Sequence, residues 1–278
     1  MRTVQLALIT VIFGLVAGYL LRQKEGFETQ GSPSTADPPL LGSTATNGSP
    51  TEDDDDPRDL PWIASWSRAD AAAREGQICA PTYVETGPDG TTIITTSPSC
   101  ESGMPHTLAG DRIVIPSSVP LTDHPDILAH ELIHIHQKRH PEAWLKFYRS
   151  AWAFTFAPLA PREMPAEVTE ARRSNPDTWD PRSGGPWACW RNRWWPVPVY
   201  TDPAAPKLRN CVTVWWDSAT GETLTAPPAD WIQFFGRPSQ DEHPHEIAAV
   251  KIVEEETATE AGRRLLGWWR SQPAQPHP

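Results

Sequence analysis

The stretch His130-Glu131-Leu132-Ile133-His134 holds the residues whose types and spacing are best suited to chemistry. Two histidines four apart lie one turn apart on the same helix face, so both imidazoles can reach one cation. Glu131 directly follows the first histidine and can lean over the cation's remaining position. There it would take a proton from a water whose pKa the metal has lowered. The competing reading is a surface helix whose histidines are merely satisfied. His136 points off the ligand face, and His124 and His140 sit near the helix ends, so these three are expected to be structural or solvent histidines.

A tetrahedral site that keeps a water needs a third protein ligand. Glu246, in the first turn of a predicted late helix, is preferred, because Ala249 one turn on lets that helix pack closely. Glu170 and Glu167 remain as rivals, and all three also suit an ordinary helix surface. A donor for the developing oxyanion is also needed. His243, His245, Tyr148 and Tyr200 can serve, and His243 is preferred as the neighbour of Glu246.

The elements that must position these residues follow from periodicity and turn chemistry. Residues 78–121 carry β pattern, notably Thr91–Thr96 and Asp111–Pro116. A helix is predicted over about 125–139, with Asp123 as its cap, Pro125 in its first turn and Asp126 complementing its dipole. Pro141 separates it from a second helix over about 142–156, and a shorter helix covers 165–173. Residues 176–240 are rich in Pro and Trp, with strand-like Val197–Tyr200 and Cys211–Trp216. One last helix is predicted from Pro244 to about Trp269.

The net charge of -11 argues against nucleic acid, since no basic stripe is present. The 14 tryptophans, mostly between 144 and 270, point to a well-filled core, with a substrate-binding aromatic cleft as the other reading. The four cysteines fall into two pairs that each bracket a predicted hairpin, Cys79 with Cys100 and Cys189 with Cys211. Two local disulfides in an oxidising compartment are expected, against four buried thiols as the alternative. Thr3–Leu21 is uncharged and long enough, at about 28 Å as a helix, to cross a bilayer. It ends in Leu20-Leu21-Arg22, a poor cleavage site, so an uncleaved anchor is favoured over a signal peptide. The expected organisation is a transmembrane anchor at 1–24, a disordered acidic tether at 25–60, a folded domain at 61–270 and a disordered tail at 271–278. The anchored domain is expected on the extracytoplasmic side.

Three segments together resemble the gluzincin-like branch of the zinc metallopeptidases, and in particular poorly characterised members from bacteria and large DNA viruses. They are His130–Gln137, Asn175-Pro176-Asp177-Thr178 and His243-Pro244-His245-Glu246-Ile247-Ala248-Ala249. The resemblance covers about residues 80–265 and implies an α+β zincin-like domain that hydrolyses peptide bonds. It implies His130, His134 and Glu246 as zinc ligands and Glu131 as general base. It also implies that the strand near Arg112–Ile115 is a sheet edge along which a peptide or protein substrate lies. The Asn-Glu-x-x-Ser-Asp signature of thermolysin-like enzymes is absent. Peptide deformylases share the histidine motif, but Ser97-Pro98-Ser99-Cys100-Glu101 does not resemble their cysteine-bearing turn. The alternative function is a non-catalytic, membrane-anchored surface or adhesion protein on the same scaffold.

Overall fold

Runs of β-branched residues broken by turn formers build the first sheet. The computed structural model describes residues 60–272 except 180, 181 and 183. Two short helices, α1 (Leu60–Ile63) and α2 (Arg68–Arg74), precede strands β1 (Pro81–Thr86), β2 (Thr92–Thr96), β3 (His106–Leu108) and β4 (Arg112–Pro116). The strand order is β1-β2-β4-β3, with β2 and β4 parallel and the other pairs antiparallel. Cys79 and Cys100 close the β1–β2 hairpin with a disulfide, as the first cysteine pair predicts.

The expected edge strand is corrected here. β4 is hydrogen-bonded on both sides, and β3 is the edge next to it. The outer backbone of β3 is itself occupied. The Thr107 N–H donates to Asp177 Oδ1 at 2.6 Å, and the Thr107 carbonyl accepts from Lys138 Nζ at 2.8 Å.

Helix α3 (Pro125–Arg139) carries the histidine pair. Pro125 supplies a preset φ at its first position and Asp126 faces the positive end of the dipole. The expected Asp123 cap is not formed. His124 occupies the cap position without a side-chain bond, while the Asp123 N–H closes a turn onto Pro120. Almost every residue from Ala129 to Lys138 is buried, because α3 lies between two cores. Leu132 and Ile135 pack with Ile93, Ile113 and Ile115 of the first sheet. Ile133 joins an aromatic cluster that includes Trp144, Trp152, Trp190, Trp231 and Trp269. Most of the tryptophans therefore serve as core, and truncating one that is fully buried would cost about 3–5 kcal/mol.

Helix α4 (Pro141–Ala151) ends earlier than its predicted 156. Ala153 turns the chain at φ 60 into β5 (Phe154–Ala157). Helix α5 (Ala166–Glu170) also stops short. Its exit backbone pairs with a later strand, Trp194–Tyr200, Arg173 N–H to Pro198 O at 2.8 Å and Tyr200 N–H to Ala171 O at 2.9 Å. A second, antiparallel sheet follows in the order β5, β6 (Trp187–Trp190), β7 (Trp194–Tyr200), β8 (Cys211–Asp217) and β9 (Thr223–Leu224). Pro196 and Pro198 leave β7 short of donors, and β6 meets β7 only at Trp190↔Trp194.

This sheet overturns the second predicted disulfide. Cys189, next to Trp190, lies by the Trp194 end of β7, whereas Cys211 pairs with Tyr200 at the other end. Six strand residues separate those ends by about 20 Å, far beyond the reach of an S–S bond. Both thiols are free.

After α6 (Ala229–Phe235), the predicted single last helix is two, α7 (Pro244–Val253) and α8 (Glu260–Trp269). Glu255 turns at φ 46, and the Glu256 carboxylate accepts from Lys251 Nζ at 2.7 Å and the Thr259 N–H at 2.8 Å. Thr259 then caps α8 through Gly262 N–H, and only glycine fits at 262, where a Cβ would meet Glu256 O at 2.1 Å. Helix α7 packs directly on α3. The mixed α+β class is as expected. The anchor, the tether up to Asp59 and the tail from Pro273 lie outside the described residues. Among those described, no helix is long and apolar enough to cross a membrane.

Candidate metal centre

The pairing of α3 with α7 brings His130, His134 and Glu246 together. His134 Nε2 lies 2.9 Å from His130 Nε2, and Glu246 approaches them with Oε2 at 3.3 Å from His130 and Oε1 at 3.4 Å from His134. The donor atoms of these three lie within 4.8 Å of one another. Bonds of 2.0–2.1 Å to a tetrahedral cation place its ligand atoms about 3.3–3.4 Å apart. The two nitrogen–oxygen separations are of that size but run to different oxygens of Glu246, so the three side chains are close enough to share a small divalent ion once the two rings spread and one carboxylate oxygen turns to face both. Helix α7 supplies this approach because Ala248 and Ala249 are fully buried where it faces the core. Glu170 and Glu167, the rival ligands, are exposed on α5 and lie outside the cluster.

Two of the three, His134 and Glu246, are held from behind. His134 Nδ1 is 2.8 Å from Gln137 Oε1, an acceptor, so Nδ1 carries the hydrogen and Nε2 keeps its lone pair for a metal. Gln137 is fixed in turn, donating from Nε2 to His245 O at 3.0 Å and to the Tyr148 hydroxyl at 3.2 Å. Asn175 Nδ2 donates to Glu246 Oε1 and to Glu242 Oε1, both at 2.9 Å. Asn175 stands there because residues 171–173 are zipped onto β7 and because its own Oδ1 accepts the Asp177 N–H at 3.0 Å. Gln137, Asn175 and Asp177 had no role assigned from sequence. The signals were Gln137 three residues beyond His134 on one helix face and the turn-forming Asn-Pro pair.

The electrostatics match a cation site. Burial by itself raises the Glu246 carboxyl, but His134 and His130 outweigh it and hold it well below the usual carboxylate range. Burial by itself lowers His134, yet Glu246 and Asp177 overcome it and push it up to about 10. Two carboxylates therefore favour positive charge at this point. Glu131 behaves oppositely. Burial, reinforced by Asp177, raises its carboxyl well above normal, and its Oε2 is buried without a partner. His130 is the ligand whose side chain retains most exposure, 17% against 0% for His134, so it marks the open flank.

The other histidines and donors sort by their partners. His136 accepts from Trp144 Nε1 at 3.0 Å and its ring lies 4.5 Å from that of His140, so both belong to the aromatic packing. Tyr200 donates to Asp70 Oδ1 at 2.6 Å and is spoken for. His243 caps α7, its Nδ1 accepting the His245 N–H at 3.3 Å, which leaves Nε2 as the protonated nitrogen. That Nε2 is buried and has no acceptor. Burial and His245 keep the ring well below the usual histidine pKa, hence neutral.

No family model, curated protein or solved structure matches this chain.

Proposed function

We propose that this chain is a zinc-dependent peptide hydrolase, gluzincin-like in its ligand set. The observation that carries the reading is the triad of His130, His134 and Glu246 with separations of 3.3 and 3.4 Å, set beside a buried, unpartnered Glu131 Oε2. Two neutral imidazoles and one carboxylate favour zinc over calcium or magnesium, which prefer all-oxygen shells. Held there, the ion supplies Lewis acidity and a water of lowered pKa.

The chain's own groups do the rest. Glu131 Oε2 takes a proton from the attacking water and passes it to the leaving nitrogen, a role suited to a carboxyl whose pKa stands above normal. His243 Nε2–H is the neutral donor free to meet a substrate oxygen. Gln137 and Asn175 keep His134 and Glu246 from rotating.

Metal analysis of the purified chain should return one zinc per molecule. Glu131→Gln should retain that zinc and lose at least about 100-fold in peptide hydrolysis. A variant and wild type equally inert across a broad peptide library would instead favour a non-catalytic surface protein.

A further inference from the structure

An aromatic cleft of the kind the tryptophans suggest is present at one place, on the second sheet. Phe154, Trp190, Trp194 and Trp215 turn into the large aromatic cluster. By the two-residue alternation of a strand, Thr155, Cys189, Trp195 and Trp216 face the other way. Register sets these four side by side. Thr155 pairs with Cys189, Trp195 pairs with Trp216, and the Trp190↔Trp194 pair brings Cys189 next to Trp195. Farther along the same face Met164 and Val168 cover Trp187, Val197 and Val214. That cover stops short of the row. A pocket of about 260 Å³ opens there, with the four-strand row as its floor and Pro161, Glu163, Asn192 and Ser218 as its rim.

None of these residues belongs to the metal cluster or its supports. The volume is at the small end of what ligand sites occupy, about 300–1,000 Å³, which suits a single ring. Charge narrows the ligand further. Among the described residues no lysine or arginine lines the pocket, so nothing there grips a phosphate or carboxylate. Burial pushes the Cys189 thiol up to about 12, so the floor holds no thiolate. The remaining polar groups are free to bond. Ser218 Oγ donates to Arg193 O at 2.9 Å, which leaves its lone pairs to accept. The Thr155 hydroxyl reaches its acceptors, Cys189 O and Asn192 Oδ1, only at 3.5 Å and is available to a closer partner. Asn192 is fixed at the β6–β7 turn with φ 54, and its Nδ2 donates to no described residue. The Glu163 carboxylate likewise makes no bond to any of them. Beside these groups stands Trp195, half-buried and 6.5 Å from the Trp216 ring. Its electron-rich face suits C–H groups of partial positive charge. A ligand with an apolar C–H face and hydroxyls around its edge uses every one of these features. A cation would use only Trp195 and Glu163.

We propose that this pocket binds one pyranose ring of a carbohydrate, with its C–H face on Trp195 and its hydroxyls bonded by Thr155, Glu163, Asn192 and Ser218. Sugar binding here is independent of the hydrolase chemistry and of zinc. Two sources share the chemistry, a free sugar and a unit of a longer glycan.

The test is a ligand-observed NMR titration of the full-length chain with the methyl glycosides of glucose, galactose, mannose and N-acetylglucosamine. Each is run beside a trisaccharide of the same sugar, and tetramethylammonium serves as the cation control. At least one glycoside should bind with a Kd of about 1–10 mM, the range expected of a ligand of about a dozen heavy atoms. Tighter binding of the trisaccharide marks a glycan as the source, and equal binding marks a free sugar. Trp195→Ala should weaken binding about ten-fold, and Trp195→Phe less, because the smaller ring keeps part of the face. Asn192→Ala, at an exposed turn, should weaken it without disturbing the core. An unchanged thermal melt certifies that a variant has folded, and the wild-type titration needs no variant. No glycoside bound at about 50 mM, or equal binding by wild type and Trp195→Ala, overturns the sugar site. Binding of tetramethylammonium alone, lost in Glu163→Gln, also overturns it and gives the pocket to a cation.

Discussion

The Asn175 side-chain amide lies 2.9 Å from Glu246 Oε1, so a loop far along the chain from α3 fixes the one carboxylate of the candidate metal triad. Asn175→Ala frees that carboxylate to rotate and leaves Glu242 short of a donor. Zinc affinity should fall by about 10–100-fold, read by competition with a chromophoric chelator, while the fold survives. Unchanged affinity would mean that Glu246 is held by packing alone.

In the proposed metal centre, metal and proton compete at His134. With its pKa at about 10, this imidazole is charged at neutral pH until a metal takes the proton's place. Zinc binding near pH 8 should therefore release a proton, measurable by calorimetry in buffers of different ionisation enthalpy, and affinity should rise with pH. The raised value also sets the stability of the metal-stripped protein. Its contribution is complete below the unfolded value near 6.5 and is lost as pH rises through about 10. Thermal melts of chelator-treated protein should fall across that window, and zinc-loaded protein should stay flat.

On the acid side the junction between α7 and α8 is the sensitive point. Burial alone would raise Glu256, but Lys251 and Thr259 dominate and bring it down to about 2. A depressed carboxylate stabilises above its unfolded value near 4.5, and that contribution disappears as pH falls through 2. Glu256→Gln should cost about 2 kcal/mol at pH 7, and the gap from wild type should close near pH 2 in denaturant melts.

Asp70 is buried and accepts from Arg74, Tyr200 and Ser174, linking α2 to the segment that carries Arg172 and Asn175. Tyr200→Phe removes one bond to that charge and should lower stability by about 1.5–3 kcal/mol in equilibrium unfolding. Its effect on zinc affinity should be small, because Tyr200 touches no ligand.

Of the four cysteines, thiol titration of denatured, unreduced protein should find two reactive, and all four after reduction. Two disulfides would leave none.

Local chemistry was well marked in the sequence. His130, Glu131 and His134 are spaced by a single helix, so one period places them, and Pro125 and Pro141 bound that helix from within the chain. The late partner was harder. Glu246 is 112 residues beyond His134; Ala249 makes it the preferred partner over Glu167 and Glu170, and the packing of α7 on α3 brings it to the two histidines. Three errors share one cause. The overlong helices at 142–156, 165–173 and 244–269 continue helical periodicity past points where tertiary contacts take over the backbone, at β5, beside β7 and at Glu256. Local pairing logic also misled at Cys189 and Cys211, because proximity along the chain says nothing about which end of a strand each occupies.

The strand nearest the histidine helix has its outward N–H engaged by one carboxylate and its outward C=O by one ammonium. No further chain can zip onto it there. For the proposed hydrolase this means that a peptide substrate gains no main-chain pairing at Thr107 and must draw its binding there from side groups or chain ends.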